Sequence, residues 1–127
     1  MADMRTPLSR VIGLGSAKSG AHHFWLQRVT AAANVPLALF LIASLVALSG
    51  ADYLTVRAYL AHPLAVIALL ALILSGVWHM RLGMQVIIED YVIAEGLKTL
   101  SLLLNIFFSA AIGIACIYAA LKIGFGS

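Results

Sequence analysis

Residues 64–88 read LAVIALLALILSGVWHMRLGMQVII. The run exceeds the ~20 residues that cross a ~30 Å hydrocarbon layer as an α-helix. Its one permanently charged side chain, Arg81, stands near the end. Two more runs of this kind extend from about Val29 to Ser49 and from about Thr99 to Leu121. In lipid a backbone N–H or C=O has no water to bond, so each run must satisfy its own polar groups as a helix. No alternation of the β-barrel kind is present. The predicted fold is an all-α membrane protein with three transmembrane helices, over about 29–49, 64–88 and 99–121.

Composition agrees. The 127 residues are 63% hydrophobic and 10% charged, against roughly 45–50% and about 25% in soluble domains. The length suits one small domain, residues 1–127, with residues 1–28 as an N-terminal cytoplasmic or interfacial segment. Cys116 is the only cysteine, which excludes an internal disulfide and any multi-cysteine zinc or iron–sulfur site. No Gly-rich dinucleotide loop is present, so nothing here would bind flavin. Arg5, Ser9, Arg10, Ser16 and Lys18 would suit a short transit peptide, but Asp3 and the short length point to an unprocessed bacterial chain.

The charge pattern sets an expected orientation. Three crossings place Arg5, Arg10, Lys18, Arg28, Arg81 and Lys98 on one side, and Arg57 and Lys122 on the other. Arg81 joins the first group because its long stem can snorkel to the surface. The N-terminus is therefore expected in the cytoplasm and the C-terminus in the periplasm. Between the spans, Asp52 is expected to cap a short helical stretch through Tyr59. Gly96 is expected to mark the break before the third span.

An ionisable residue at membrane depth is a functional candidate by default, and His79 is the one histidine within the spans. Imidazole is a standard axial ligand of haem iron. The plainer reading of His79 is a hydrogen bond to a neighbouring helix. At ~100° per residue, Gly83, Val86 and Asp90 fall within roughly 40° of the His79 direction. Gly83 and Gly76 leave room for a flat macrocycle, or for close helix packing. With a single deep histidine, a six-coordinate haem would need its second ligand from another chain. Asp90 and Tyr91 stand where the apolar run ends. They read as a helix-end acid with an interfacial aromatic, or as a quinone site. In the second case the phenol donates a hydrogen bond and the carboxylate relays protons. His22, His23, Gln27 and Arg28 form a polar cluster before the first span. It reads as an interfacial patch or as a partner for haem propionates. His62 reads as a loop residue, Met80 and Met84 as packing residues, and Ser101 and Asn105 as interhelix hydrogen-bonders.

Two stretches carry a resemblance to a known family. One is Gly20-Ala21-His22-His23-Phe24-Trp25-Leu26-Gln27-Arg28-Val29-Thr30-Ala31; the other is His79 with Gly83 and then Asp90-Tyr91. Together with the three-span layout they resemble the smaller hydrophobic anchor subunit of succinate dehydrogenase, respiratory complex II. His23 departs from it, since some relatives carry an acid there. The Ser-x-x-His-Arg signature of the larger anchor is absent. The resemblance implies a subunit of a succinate:quinone oxidoreductase in the bacterial inner membrane, not catalytic alone. Its partners would be a larger cytochrome b anchor, an iron–sulfur subunit and a flavoprotein, in a heteromeric helix bundle surrounded by lipid. It implies that His79 ligates a haem b shared with the larger anchor. Arg28 and His22 would lie near the propionates or the quinone pocket, and Tyr91 and Asp90 would serve a quinone, ubiquinone by preference. The readings that compete are a fumarate reductase or other cytochrome b anchor, a non-redox protein in which His79 and Asp90 form a proton path, and a passive anchor.

Overall fold

The computed structural model describes residues 7–11 and 20–126. Arg5, Lys18, Gly13, Gly15, Ser16 and Asp3 lie outside the described residues, as do the side chains of Ser9 and Arg10. Five helices follow one another: α1 (Pro7–Val11), α2 (Gly20–Ala47), α3 (Tyr53–Leu60), α4 (Pro63–Tyr91) and α5 (Glu95–Phe125). Three of them, of 28, 29 and 31 residues, are long and apolar enough to cross a membrane. At 1.5 Å per residue each exceeds 40 Å, about the thickness of a bilayer with its headgroups.

The helices are longer than the apolar runs because their ends are set by backbone hydrogen bonding, not by hydropathy. Helix α2 starts at Gly20, not Val29, so the His22–Arg28 cluster is helical. Helix α4 opens with Pro63 at its first position and His62 as N-cap, the His62 Nδ1 accepting from the Leu64 N–H at 3.3 Å. His62, expected as a loop residue, is thus a cap that satisfies an otherwise orphaned amide. Asp52 caps α3 as expected, accepting from the Thr55 N–H at 3.3 Å. The bonds from Thr55 hold this exposed carboxyl below the usual carboxylate range. Gly50, at φ 81°, supplies the left-handed turn that leaves α2. Gly96 does not break the chain: it lies in the first turn of α5, and the link is Val92–Ala94. There Lys98 Nζ donates to the Glu89 carbonyl at 3.1 Å, tying α5 to the end of α4.

Helix α4 packs against both α2 and α5, while α2 and α5 do not pack against each other among the described residues. The three spans therefore form an open row. Few side chains are buried: Ala65, Val66, Leu82, Ile88 and Ala120, with Ser44, Asn105 and Ser109. Large apolar residues such as Leu39, Leu45, Phe107 and Ile114 face outward. Lipid tails are as apolar as leucine, so such a row is held by close packing and interhelix hydrogen bonds. Asn105 Nδ2 donates to the Arg81 carbonyl at 2.9 Å, as the sequence suggested, and Ser75 Oγ to the Thr30 carbonyl at 3.2 Å. Tyr59 Oη and Ser44 Oγ share a 2.7 Å bond. Arg57 donates to the Gly126 carbonyl at 3.0 Å, joining α3 to the end of α5.

Glycine creates close approach at the α4–α5 seam. A Cβ on Gly124 would stand 2.7 Å from Val66 Cγ2, whereas one on Gly96 would meet nothing within 4 Å. Gly124→Leu is therefore expected to destabilise the α4–α5 pair by about 1–3 kcal/mol through overpacking. Gly96→Ala should be neutral or stabilising by up to about 1 kcal/mol, since alanine favours the helix. Thermal denaturation of the detergent-solubilised protein with its partners would show this contrast; equal melting of the two variants would contradict the seam.

Candidate functional site

One cleft of about 720 Å³ opens between α2 and α4, toward the end where α2 begins and α4 finishes. It is lined by residues of both helices, including His23, Phe24, Gln27, Arg28, His79, Gln85 and Glu89. The α2 wall follows from spacing. His23, Gln27, Thr30 and Asn34 succeed one another at intervals of four, three and four residues. At ~100° per residue they fall within about 60° of one another, a polar stripe on one face of an otherwise apolar helix.

His79 brings α4 to this stripe. Its Nδ1 lies 3.1 Å from Thr30 Oγ1. The same hydroxyl donates to the Leu26 carbonyl at 2.7 Å, with the Gln27 carbonyl at 3.2 Å. The interhelix reading of His79 is therefore realised, and it leaves the other ring nitrogen for a ligand in the cleft. Nearby, His23 Nε2 and Gln27 Oε1 are buried without a hydrogen-bond partner. Burying an amide oxygen or ring nitrogen unpaired costs about 1–3 kcal/mol, so these atoms fit a cleft whose polar occupant supplies their partners. Arg28 stands at the mouth. Its guanidinium lies 4.4 Å from the centroid of the Phe24 ring, and Phe24 meets Trp25 edge to face at 5.9 Å. The cation–π contact fixes a permanent positive charge there without neutralising it. Opposite, Gln85 Nε2 donates to Glu89 Oε1 at 2.8 Å.

The expected site residues separate into two groups. His79 and Arg28 line the cleft together. His22 is exposed on α2 and does not line it; its neighbour His23 does. Gly83 is not in the lining either, and a Cβ there would lie 3.6 Å from Gln27 Nε2. This glycine lets the two helices approach. Asp90 and Tyr91 are exposed at the last turn of α4, beyond the cleft, with Tyr91 at 79% of full exposure. Thr30, Gln85 and Glu89 were not singled out in the sequence. The stripe spacing could have found Thr30; its bond to His79, 49 positions away, has no local signal. On the other side of α4 a groove of about 660 Å³ is walled by Met80, Met84, Leu104, Phe107 and Phe108. Its amide, Asn105, already serves the Arg81 carbonyl, so it offers little to a polar ligand. No three His, Cys, Asp or Glu side chains converge among the described residues. The cleft holds two imidazoles, His79 on α4 and His23 on α2, too few to build a metal site from this chain's side chains alone.

Residues 2–117 match the model of a protein family described as succinate dehydrogenase/fumarate reductase transmembrane subunit. A succinate dehydrogenase hydrophobic membrane anchor subunit from Rickettsia bellii is 35% identical over 92% of this chain and 94% of its own length. One from Paracoccus denitrificans is 29% identical over 96% and 94%. A succinate dehydrogenase membrane anchor subunit from Reclinomonas americana is 38% identical over 68% and 75%. No solved structure matches the chain.

Proposed function

The chain belongs to the succinate dehydrogenase/fumarate reductase transmembrane subunit family, and from that premise we propose that it is the smaller membrane anchor of a succinate:quinone oxidoreductase. It lies in the bacterial cytoplasmic membrane with its N-terminus inside, beside a larger anchor and under iron–sulfur and flavoprotein subunits. The observation that carries the reading is the cleft at His79, where one imidazole nitrogen is held by Thr30 and the other is left for a ligand.

A haem b shared with the larger anchor fits these residues. His79 would hold its iron from this chain, with the larger anchor completing the site. His23, whose Nε2 is buried and unpaired, and Arg28 at the mouth suit its polar edge, the cation pairing with propionate charge. Bound there, the haem would supply a one-electron redox centre. The chain's residues orient the ring system, exclude lipid from its edge and hold its charge.

The quinone is served separately. Tyr91 stands twelve positions after His79, about 18 Å further along α4. A quinone taking up two electrons and two protons there accepts a hydrogen bond from the Tyr91 hydroxyl, and Asp90 relays a proton from the aqueous side. Electrons arrive from the soluble partner subunits. The exposure of Tyr91 and of Ile93, at 92%, suits a pocket completed by those partners.

The test is a reduced-minus-oxidised absorption spectrum of the purified complex, with succinate as reductant and dithionite as control. A b-type α-band with both is the expected result. No band, in a complex that retains this chain, would overturn the haem reading and favour a proton path or a passive anchor.

A further inference from the structure

We propose that Thr30 is a positioning residue for His79: its hydroxyl holds the imidazole in the Nδ1–H form and fixes the ring plane, so that the Nε2 lone pair faces the cleft. The inference rests on His79 being the haem ligand. A threonine hydroxyl has one proton and two acceptor lone pairs. Thr30 Oγ1 lies 2.7 Å from the Leu26 carbonyl, the ordinary length of an O–H···O bond. The proton is spent there, so the contact with His79 Nδ1 at 3.1 Å leaves oxygen only the role of acceptor. Nδ1 must then carry the hydrogen, and Nε2 is the nitrogen with a free lone pair.

The oxygen is itself fixed. Its residue is helical, its hydroxyl is tied back onto the preceding turn, and the Thr30 carbonyl accepts from Ser75 Oγ at 3.2 Å. Ser75 lies four residues before His79 on the same helix, so the two bonds grip one face of α4 a turn apart. Rotation of the ring, or sliding of α4 past α2, would break one of them. An acceptor on the distal N–H also makes an imidazole a stronger donor to a metal, and loss of such a partner typically weakens metal binding about 10–100-fold.

The test uses the assembled complex carrying Thr30→Val, which keeps the β-branched shape without the hydroxyl, and Thr30→Ser, which restores the hydroxyl. Thr30→Ala is a second hydroxyl-free variant that keeps helix propensity, and carries the same comparison if the valine variant does not assemble. The readouts are the haem midpoint potential, the low-spin ferric paramagnetic resonance signal and the rate of haem transfer to an excess of apo-globin. In the hydroxyl-free variants the potential should rise, because a weaker donor stabilises ferric iron less. The resonance should shift as the ring plane is freed, and haem transfer should quicken about tenfold or more, with serine close to the parent. Equal potentials, signals and transfer rates across valine, alanine, serine and parent would overturn the proposal. His79→Ala is run alongside. If it leaves the haem unaltered, ligation by His79 fails; if it removes or alters the haem while the Thr30 variants are silent, only the role of Thr30 fails.

Discussion

A complex carrying His79→Ala is expected to lose its low-spin b-type spectrum while its helices stay assembled. The two halves of this expectation have separate grounds. The spectral loss follows from removing a ligand outright, an effect larger than the roughly 10–100-fold weakening that follows loss of a supporting partner. Retention of the fold follows from the small structural role of the ring. His79 contributes one interhelix bond, to Thr30, and such bonds in membranes average about 0.6 kcal/mol and reach about 1–2 kcal/mol. Thr30 keeps its bond to the Leu26 carbonyl, and the Ser75–Thr30 bond survives. No buried donor is stranded. Haem extracted per flavin, together with the difference spectrum, checks the outcome. A full, unshifted low-spin band would refute ligation, and loss of haem together with loss of the partner subunits would assign His79 to assembly instead.

The spans were legible because their signal is local. Twenty apolar residues in lipid admit a helix as their backbone solution, and Asp52 announces the start of α3 by chemistry confined to a few residues. The ends of α2 and α5 were not legible. Phe24, Trp25 and Glu95 are compatible with a helix or an interfacial strand of coil, and hydropathy does not distinguish them. The open row was hidden for a related reason. When lipid and protein neighbours are equally apolar, the face that packs carries no hydrophobic stripe. What marks it is small or polar: Gly83 against Gln27, Gly124 against Val66, and the run His23, Gln27, Thr30, Asn34. That run reads directly from helical spacing and selects His23 over His22 for the cleft. The Thr30–His79 bond needs the register of α2 against α4, which only tertiary packing sets.

Tyr91→Phe should lower quinone reduction on the order of 10²-fold while oxidation of succinate with a soluble artificial acceptor continues. The magnitude is that of removing a single donor aimed at developing negative charge. The position makes the experiment clean. Tyr91 is the last residue of α4 and 79% exposed, so the chain's own packing gains nothing from its hydroxyl. Exposed substitutions of this kind usually change stability by no more than about 0.5 kcal/mol. The lost oxygen therefore acts on what the partners and the quinone bring to that surface. His79 lies about 18 Å back along the helix, so the haem spectrum should be unchanged. That separates the two positions on α4: an effect on quinone reduction without an effect on haem places the quinone at Tyr91. A parallel fall in both succinate assays would mean failed assembly, and unchanged quinone reduction would return Tyr91 to the role of an interfacial aromatic in a passive anchor.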